Sequence, residues 1–369
     1  MTAVTTKFPS VRARTSDTLR CVTIIALLIF VALNFLIEQT HARVHGEKDL
    51  SLFEENRVIN LVSICSKTQN YPDLMLLGSS VMGLPFADLT DSRDFRPFYF
   101  VNQFNALLGI THFVAINLGT DSAMISDSSL LLQKCVTDKQ TPRFIVLGLT
   151  PRDFGAEGRR LQDSYHFSTL VQLGDFMDIQ GLYLPSLEEK VNFLLEKLVP
   201  IFRYRGYVQH KVVQFSNKFW HGESAKPIDE PEQIKPMSGK QRGIDTWDSM
   251  VEQYRKIYAK LRPELIKTQM EFLARFVQKR QTAQTRVLVI NMPLSSDNRA
   301  LLPDSFYEKF RKDVADTVTN NGGVFLDLGS SSEFEHRDFF DCAHLNAQGC
   351  RKLMVHIVDF IKNKNAADR

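Results

Sequence analysis

Five short runs of almost continuous apolar residues punctuate the chain: Leu74–Leu77, Phe113–Leu118, Phe144–Leu149, Val287–Ile290 and Val324–Leu328. Each closes on Gly, Pro or small polar residues, and none shows the in–out alternation of a half-exposed strand. Strands covered on both faces of a parallel sheet have this character. Helical periodicity separates several of the runs. Residues 122–135 gather Met124, Ile125, Leu130, Leu131 and Leu132 on one broad face, and Phe306, Phe310, Val314 and Val318 recur every fourth position. The last segment, Ala347 to Ile361, turns Leu353, Met354, Ile357, Val358 and Ile361 inward, with Asn346 placed as its N-cap. This alternation predicts an α/β fold with a doubly wound, parallel, five-stranded sheet.

The sheet-forming parts, 71–154 and 286–369, are separated by residues 155–285, which read mostly as helix, for example 186–202 and 246–280. A polar stretch near 224–242, with Pro227, Pro231 and Pro236, reads as a loop. The first half of this insertion is crowded with aromatics, among them Tyr165, Phe176, Phe193, Phe202 and Trp220. They suit the core of a helical cap, and equally the wall of a substrate cleft.

Ahead of the sheet, residues 21–37 carry no charge, and a spanning helix needs roughly 17–25 apolar residues. Lys7, Arg12, Arg14 and Arg20 precede the run and mixed charges follow it. The expectation is a cytoplasmic segment over 1–20, a single N-terminal transmembrane anchor over 21–37, a juxtamembrane stretch over 38–70 and an exported remainder. A cleaved signal peptide is the alternative.

Charge changes the picture by exclusion. With 45 basic and 42 acidic residues the formal net charge is +3, and no basic stripe marks a nucleic-acid partner. Cys65, Cys135, Cys342 and Cys350 are even in number, so a disulfide is open in an oxidising compartment, with buried single thiols equally open. His336, Cys342, His344 and Cys350 crowd together, yet the paired short spacings of a structural zinc site are missing.

Candidate chemistry sits at two distant places. The first strand runs into Gly78-Ser79-Ser80, which puts a hydroxyl in a tight turn at the carboxyl end of the sheet, where doubly wound folds bind ligands. Near the other end stands Asp341-Cys342-Ala343-His344, just before the closing helix. An Asp three residues before a His can fix its tautomer while the second ring nitrogen takes a serine proton. Asp338 is a second candidate for that carboxylate. Gly119 closes the second strand, and its N–H and that of Ser80 can form an oxyanion hole.

This order of residues resembles the SGNH (GDSL-type) hydrolase superfamily over roughly 73–154 and 286–361. The resemblance implies an SGNH/flavodoxin-like three-layer sandwich, Ser80 as nucleophile, Gly119 as an oxyanion donor, and Asp341 and His344 as the remaining catalytic pair. It implies no cofactor. Ser79 takes a place usually held by Asp. The third block departs further: the family ends that strand with Gly-x-Asn-Asp, whereas this chain has Gly148-Leu149-Thr150-Pro151-Arg152-Asp153. Thr150 or Arg152 can stand in for the absent Asn as donor. The Gly-Ser-Ser turn with a single anchor is also similar to SGNH-like proteins that work beside membrane-bound O-acyltransferases in cell-wall and exopolysaccharide modification. The expected activity is therefore an exported serine esterase or O-acyltransferase on a glycan-linked acyl ester, with such an acyltransferase as partner. A catalytically silent scaffold for glycan or acyltransferase is the alternative, and a phospholipase a third.

Overall fold

The computed structural model describes residues 23–36, 58–65, 72–89, 101–136, 141–155, 160–203 and 245–367. Contacts divide the chain into two compact units, Met1–Leu50 with Gln172–Gln233 and Ser51–Val171 with Ile234–Arg369.

The larger unit holds the sheet. Its strands are β1 (Leu74–Gly78), β2 (Ala115–Asn117), β3 (Phe144–Leu149), β4 (Arg286–Asn291) and β5 (Val324–Asp327). They run in the order β2-β1-β3-β4-β5, and every pairing is parallel. The expected five-stranded parallel α/β sheet is present. The chain leaves β1 toward one edge and β3 toward the other, so the connections diverge between these two neighbours, at the place where doubly wound sheets hold ligands.

Successive strand residues face opposite sides. Leu74, Leu76, Phe144, Val146, Leu288 and Ile290 point into one core with side chains from α1 (Ser80–Leu89), helix Val101–Leu108 and α6 (Ala347–Ala367). Part of the Phe content collects here as a chain of ring contacts, Phe86–Phe104–Phe113–Phe144–Phe360, with centroids 5.9–6.3 Å apart. The opposite face packs α2 (Ile125–Cys135), α4 (Pro263–Arg280) and α5 (Asp304–Asn320).

The expected insertion over 155–285 is therefore divided. Residues up to Val171 and from Ile234 onward belong with the sheet, and α4 is one of its covering helices. The continuous helix expected over 246–280 is two helices, Asp245–Tyr258 and α4. Pro263 starts the second one, and Arg262 before it is extended (φ −119°, ψ 133°), because the proline ring crowds a helical residue at that place. Pro200 has the same effect on the helix expected over 186–202, which ends at Leu198.

In the smaller unit, Ser186 opens helix Leu187–Leu198 through a capping box with Glu189, and Phe176 stacks on Phe193 at 6.0 Å. Residues 23–36 are helical, with exposed apolar side chains such as Leu27 and Leu28. Among the described residues no helix is long and apolar enough to cross a membrane. The rest of the expected anchor, the segment 1–20 and the proline-rich loop 224–242 lie outside the described residues.

Gly78 sets the geometry of the turn after β1. Its φ is +145°, and a Cβ there would lie 2.4 Å from the carbonyl oxygen of Gly148. Neither the angle nor the gap admits a side chain. Gly78→Ala is expected to lower the unfolding free energy by about 3 kcal/mol, read as an earlier midpoint in urea with an unchanged slope.

Candidate active site

Ser80 is the first residue of α1, immediately after the Gly78 turn. The main-chain carbonyl of Ser79 accepts the N–H groups of Met82 and Gly83, while those of Ser80 and Val81 meet no acceptor among the described residues. Two free donors at the positive end of a helix make a place for developing negative charge.

His344 comes from a loop braced on several sides. Phe339 and Leu345 form an antiparallel bridge, the Phe340 N–H donates to the His344 carbonyl (3.0 Å), and Ser295 Oγ donates to the Cys342 carbonyl (2.7 Å). Asn346 then caps α6 by accepting the N–H groups of Gln348 and Gly349, as its position predicts. The Phe340 ring stacks on the imidazole, with centroids 5.5 Å apart and planes 10° apart.

The two ends of the unit meet. His344 Nε2 lies 2.9 Å from Ser80 Oγ across 264 residues of sequence. His344 Nδ1 lies 2.9 Å from both carboxylate oxygens of Asp341. Asp341 Oδ1 also accepts the N–H groups of Ala343 (2.8 Å) and His344 (2.9 Å), so one short turn both builds the loop and aims the carboxylate. Burial alone would raise the pKa of Asp341. The charge and hydrogen bond of His344, with the two backbone donors, outweigh it and hold the carboxyl below its usual range. An ionised carboxylate against Nδ1 fixes the Nδ1–H tautomer and leaves Nε2 to accept the Ser80 proton.

Asp338 is not the partner of His344. It is fully buried and pairs with Lys352 Nζ at 2.7 Å, while its Oδ2 accepts the Glu335 N–H. Cys65, Cys135, Cys342 and Cys350 are buried, and none of them is in a disulfide among the described residues. His336 stacks on Trp247, with ring centroids 4.1 Å apart.

The oxyanion side differs from expectation. Gly119 stands beside α1, close enough to Gly83 that a Cβ would meet the Gly83 nitrogen at 2.8 Å. Its N–H, however, donates to Asn117 Oδ1 (2.8 Å), and Asn117 Nδ2 donates to the Met82 carbonyl (3.1 Å). Thr150 is likewise engaged: its N–H and hydroxyl both donate to Asp153 Oδ2, at 2.8 and 3.1 Å, in the cap of the short helix Pro151–Phe154. Of the expected donors, the Ser80 N–H meets no acceptor among the described residues, and Arg152 brings the five N–H groups of a guanidinium. The Arg152 side chain is buried, with Nη2 donating to Ser122 Oγ (3.0 Å) and Nη1 3.6 Å from Asp153 Oδ1. Burial pushes the Asp153 carboxyl up, against the pull of Arg152, Thr150 and the neighbouring Ser79. The Ser79 hydroxyl is buried near Asp153 and makes no hydrogen bond among the described residues, whereas Ser80 faces the histidine.

Sequence reasoning passed over Asn117 and Ser122, and read Asp153 only as a salt-bridge partner of Arg152, a pair the structure contains. Only Asp153 had a readable signal, since Thr150-Pro151-Arg152-Asp153 is a capping box with proline at the first helical position. Comparison of the sequence with protein-family models and with curated proteins finds no match.

Proposed function

We propose that this chain is an SGNH-like serine esterase or O-acyltransferase, held at the membrane by its N-terminal apolar segment and acting outside the cytoplasm on a glycan-linked acyl ester. The observation that carries the reading is the unbroken line Ser80 Oγ–His344–Asp341, with every contact at 2.9 Å. The strand order, with its divergence between β1 and β3, suits the SGNH/flavodoxin-like sandwich.

Ser80 Oγ attacks the ester carbonyl as His344 Nε2 takes its proton, and Asp341 stabilises the imidazolium. The carbonyl oxygen becomes an oxyanion between the α1 N-terminus and Arg152. Collapse breaks the bond to the leaving alcohol, which receives the proton from His344, and leaves an acyl group on Ser80. Water then gives hydrolysis, whereas a sugar hydroxyl gives transfer. Neither step calls for a cofactor, and a membrane-bound O-acyltransferase is the partner suited to supply the acyl group.

The engaged N–H of Gly119 and hydroxyl of Thr150 favour a second reading, a silent scaffold that binds glycan or an acyltransferase. A fluorophosphonate probe separates the two. The esterase yields an adduct that peptide mass mapping places on Ser80, and an unlabelled, folded protein rejects it. Within the esterase reading, Arg152→Gln is expected to reduce kcat by about 10²-fold, the usual loss of one oxyanion donor, with KM nearly unchanged in steady-state assays on a nitrophenyl ester.

A further inference from the structure

A second buried polar cluster lies beside the first. Thr120 Oγ1 is 2.7 Å from His166 Nε2, and His166 Nδ1 is 3.7 Å from Asp127 Oδ2. Asp127 is held from two sides: its Oδ2 accepts the Met124 N–H (2.9 Å) and its Oδ1 the Ser164 hydroxyl (2.5 Å). Ser164 Oγ in turn accepts the Phe167 N–H (3.1 Å) and so caps α3 (Tyr165–Leu170). Thr120 and His166 are each only 1% exposed, which leaves a substrate no way in. The likeness to a hydroxyl–imidazole–carboxylate triad is therefore not a second reaction centre.

What the cluster grips is the loop after β2. The Thr120 N–H donates to the carbonyl of Gly78, the turn residue before the two serines (3.1 Å). Tyr165 Oη donates to the next carbonyl, that of Asp121 (3.0 Å). Ser122 follows with φ at 55°, a left-handed conformation that costs a non-glycine residue free energy and persists only where its surroundings enforce it. The Ser122 hydroxyl is the acceptor for Arg152 Nη2. Three consecutive residues are thus fixed, two of them by α3, and the third holds a proposed oxyanion donor.

We propose that His166 is a positioning residue for the Ser80 site: with Asp127 behind it, it locks Thr120 and the strained Ser122, and through Ser122 it aims Arg152. This rests on the esterase reading above. The Thr120 hydroxyl can donate to Nε2 or accept from it, so either imidazole tautomer keeps the 2.7 Å grip. A buried polar network of this kind specifies one arrangement where an apolar contact would allow several.

The test compares His166→Phe, Thr120→Val, their double variant and His166→Gln with wild type. Phosphonate titration counts working sites, a nitrophenyl ester gives kcat per site and KM, and hydrogen–deuterium exchange follows the peptide spanning residues 117–124. The expected result is a fall of kcat per titrated site of about 10- to 100-fold in His166→Phe and Thr120→Val. KM stays within about twofold and the double variant is no worse than either single one, as for members of one unit. His166→Gln, which still offers a polar atom to Thr120, recovers most of the rate, and exchange over 117–124 quickens in His166→Phe alone of the two His166 variants. A merely structural role would lower the number of titratable sites and leave kcat per site intact, which overturns the proposal. So would independent, multiplying effects of the two single variants. A wild type that neither titrates nor turns over ester defeats the esterase reading instead. Exchange then decides the inference by itself, and unchanged rates over 117–124 in His166→Phe overturn it.

Discussion

Replacing Ser80 with alanine is expected to cut ester turnover by about 10⁴-fold or more and to abolish covalent labelling, while Ser79→Ala keeps both within a few-fold. The two hydroxyls are adjacent in sequence and differ in what they meet. Ser80 Oγ is 2.9 Å from an imidazole whose other nitrogen is held by a carboxylate. Ser79 is buried next to Asp153 and has no base. Losing the first hydroxyl removes the atom that forms the acyl bond. Losing the second removes a buried hydroxyl that makes no hydrogen bond among the described residues and leaves the Thr150 cap on Asp153 Oδ2 in place. Parallel phosphonate labelling and steady-state kinetics on the two variants check the contrast, and equal loss in both would take Ser80 out of the mechanism.

Asp341→Asn should be nearly as severe, about 10⁴-fold in kcat, because an amide facing Nδ1 reverses the tautomer. The carboxamide would donate to Nδ1, Nε2 would carry the hydrogen, and the histidine could no longer take the serine proton. The backbone bonds to Ala343 and His344 survive through the remaining carbonyl oxygen, so the far-ultraviolet circular dichroism should stay that of wild type. The sign of the pH effect follows from the same contacts. Asp341 has its pKa depressed in the folded state. Its contribution to stability is then fully present above the ordinary carboxylate range and is lost only as pH falls through the lower, folded value. A wild-type protein that keeps its fold at mildly acidic pH, with Asp341→Asn insensitive to acid at this one site, is the expected outcome of acid titration followed by circular dichroism.

The sheet was legible because parallel strands buried on both faces leave unbroken apolar runs, and all five runs became strands. The meeting of Ser80 with His344 was legible for a local reason at each end: a glycine turn after a strand displays the next side chains, and an Asp-x-x-His turn can close on itself. What escaped was competition between acceptors. Nothing in the run Asn117-Leu118-Gly119 says that the asparagine side chain will take the glycine N–H. The choice between Asp338 and Asp341 was made by Lys352, which reaches back fourteen positions from α6 to neutralise Asp338. The partnership of Thr120 and His166 spans 46 residues, and no periodicity reports it. Helix ends were misjudged at Pro200 and Pro263, where ring sterics overrule an amphipathic pattern that runs straight through them.

The proposed nucleophile, Ser80, opens the helix after the first strand and its proposed base stands just before the last helix, so the pair is divided between opposite ends of the unit. On the esterase reading, a chain emerging from the ribosome carries an inert alcohol for some 264 residues before the imidazole that would activate it exists. On that reading, any product of early termination, or of proteolytic trimming of the tail before His344, would be chemically mute however well its sheet forms.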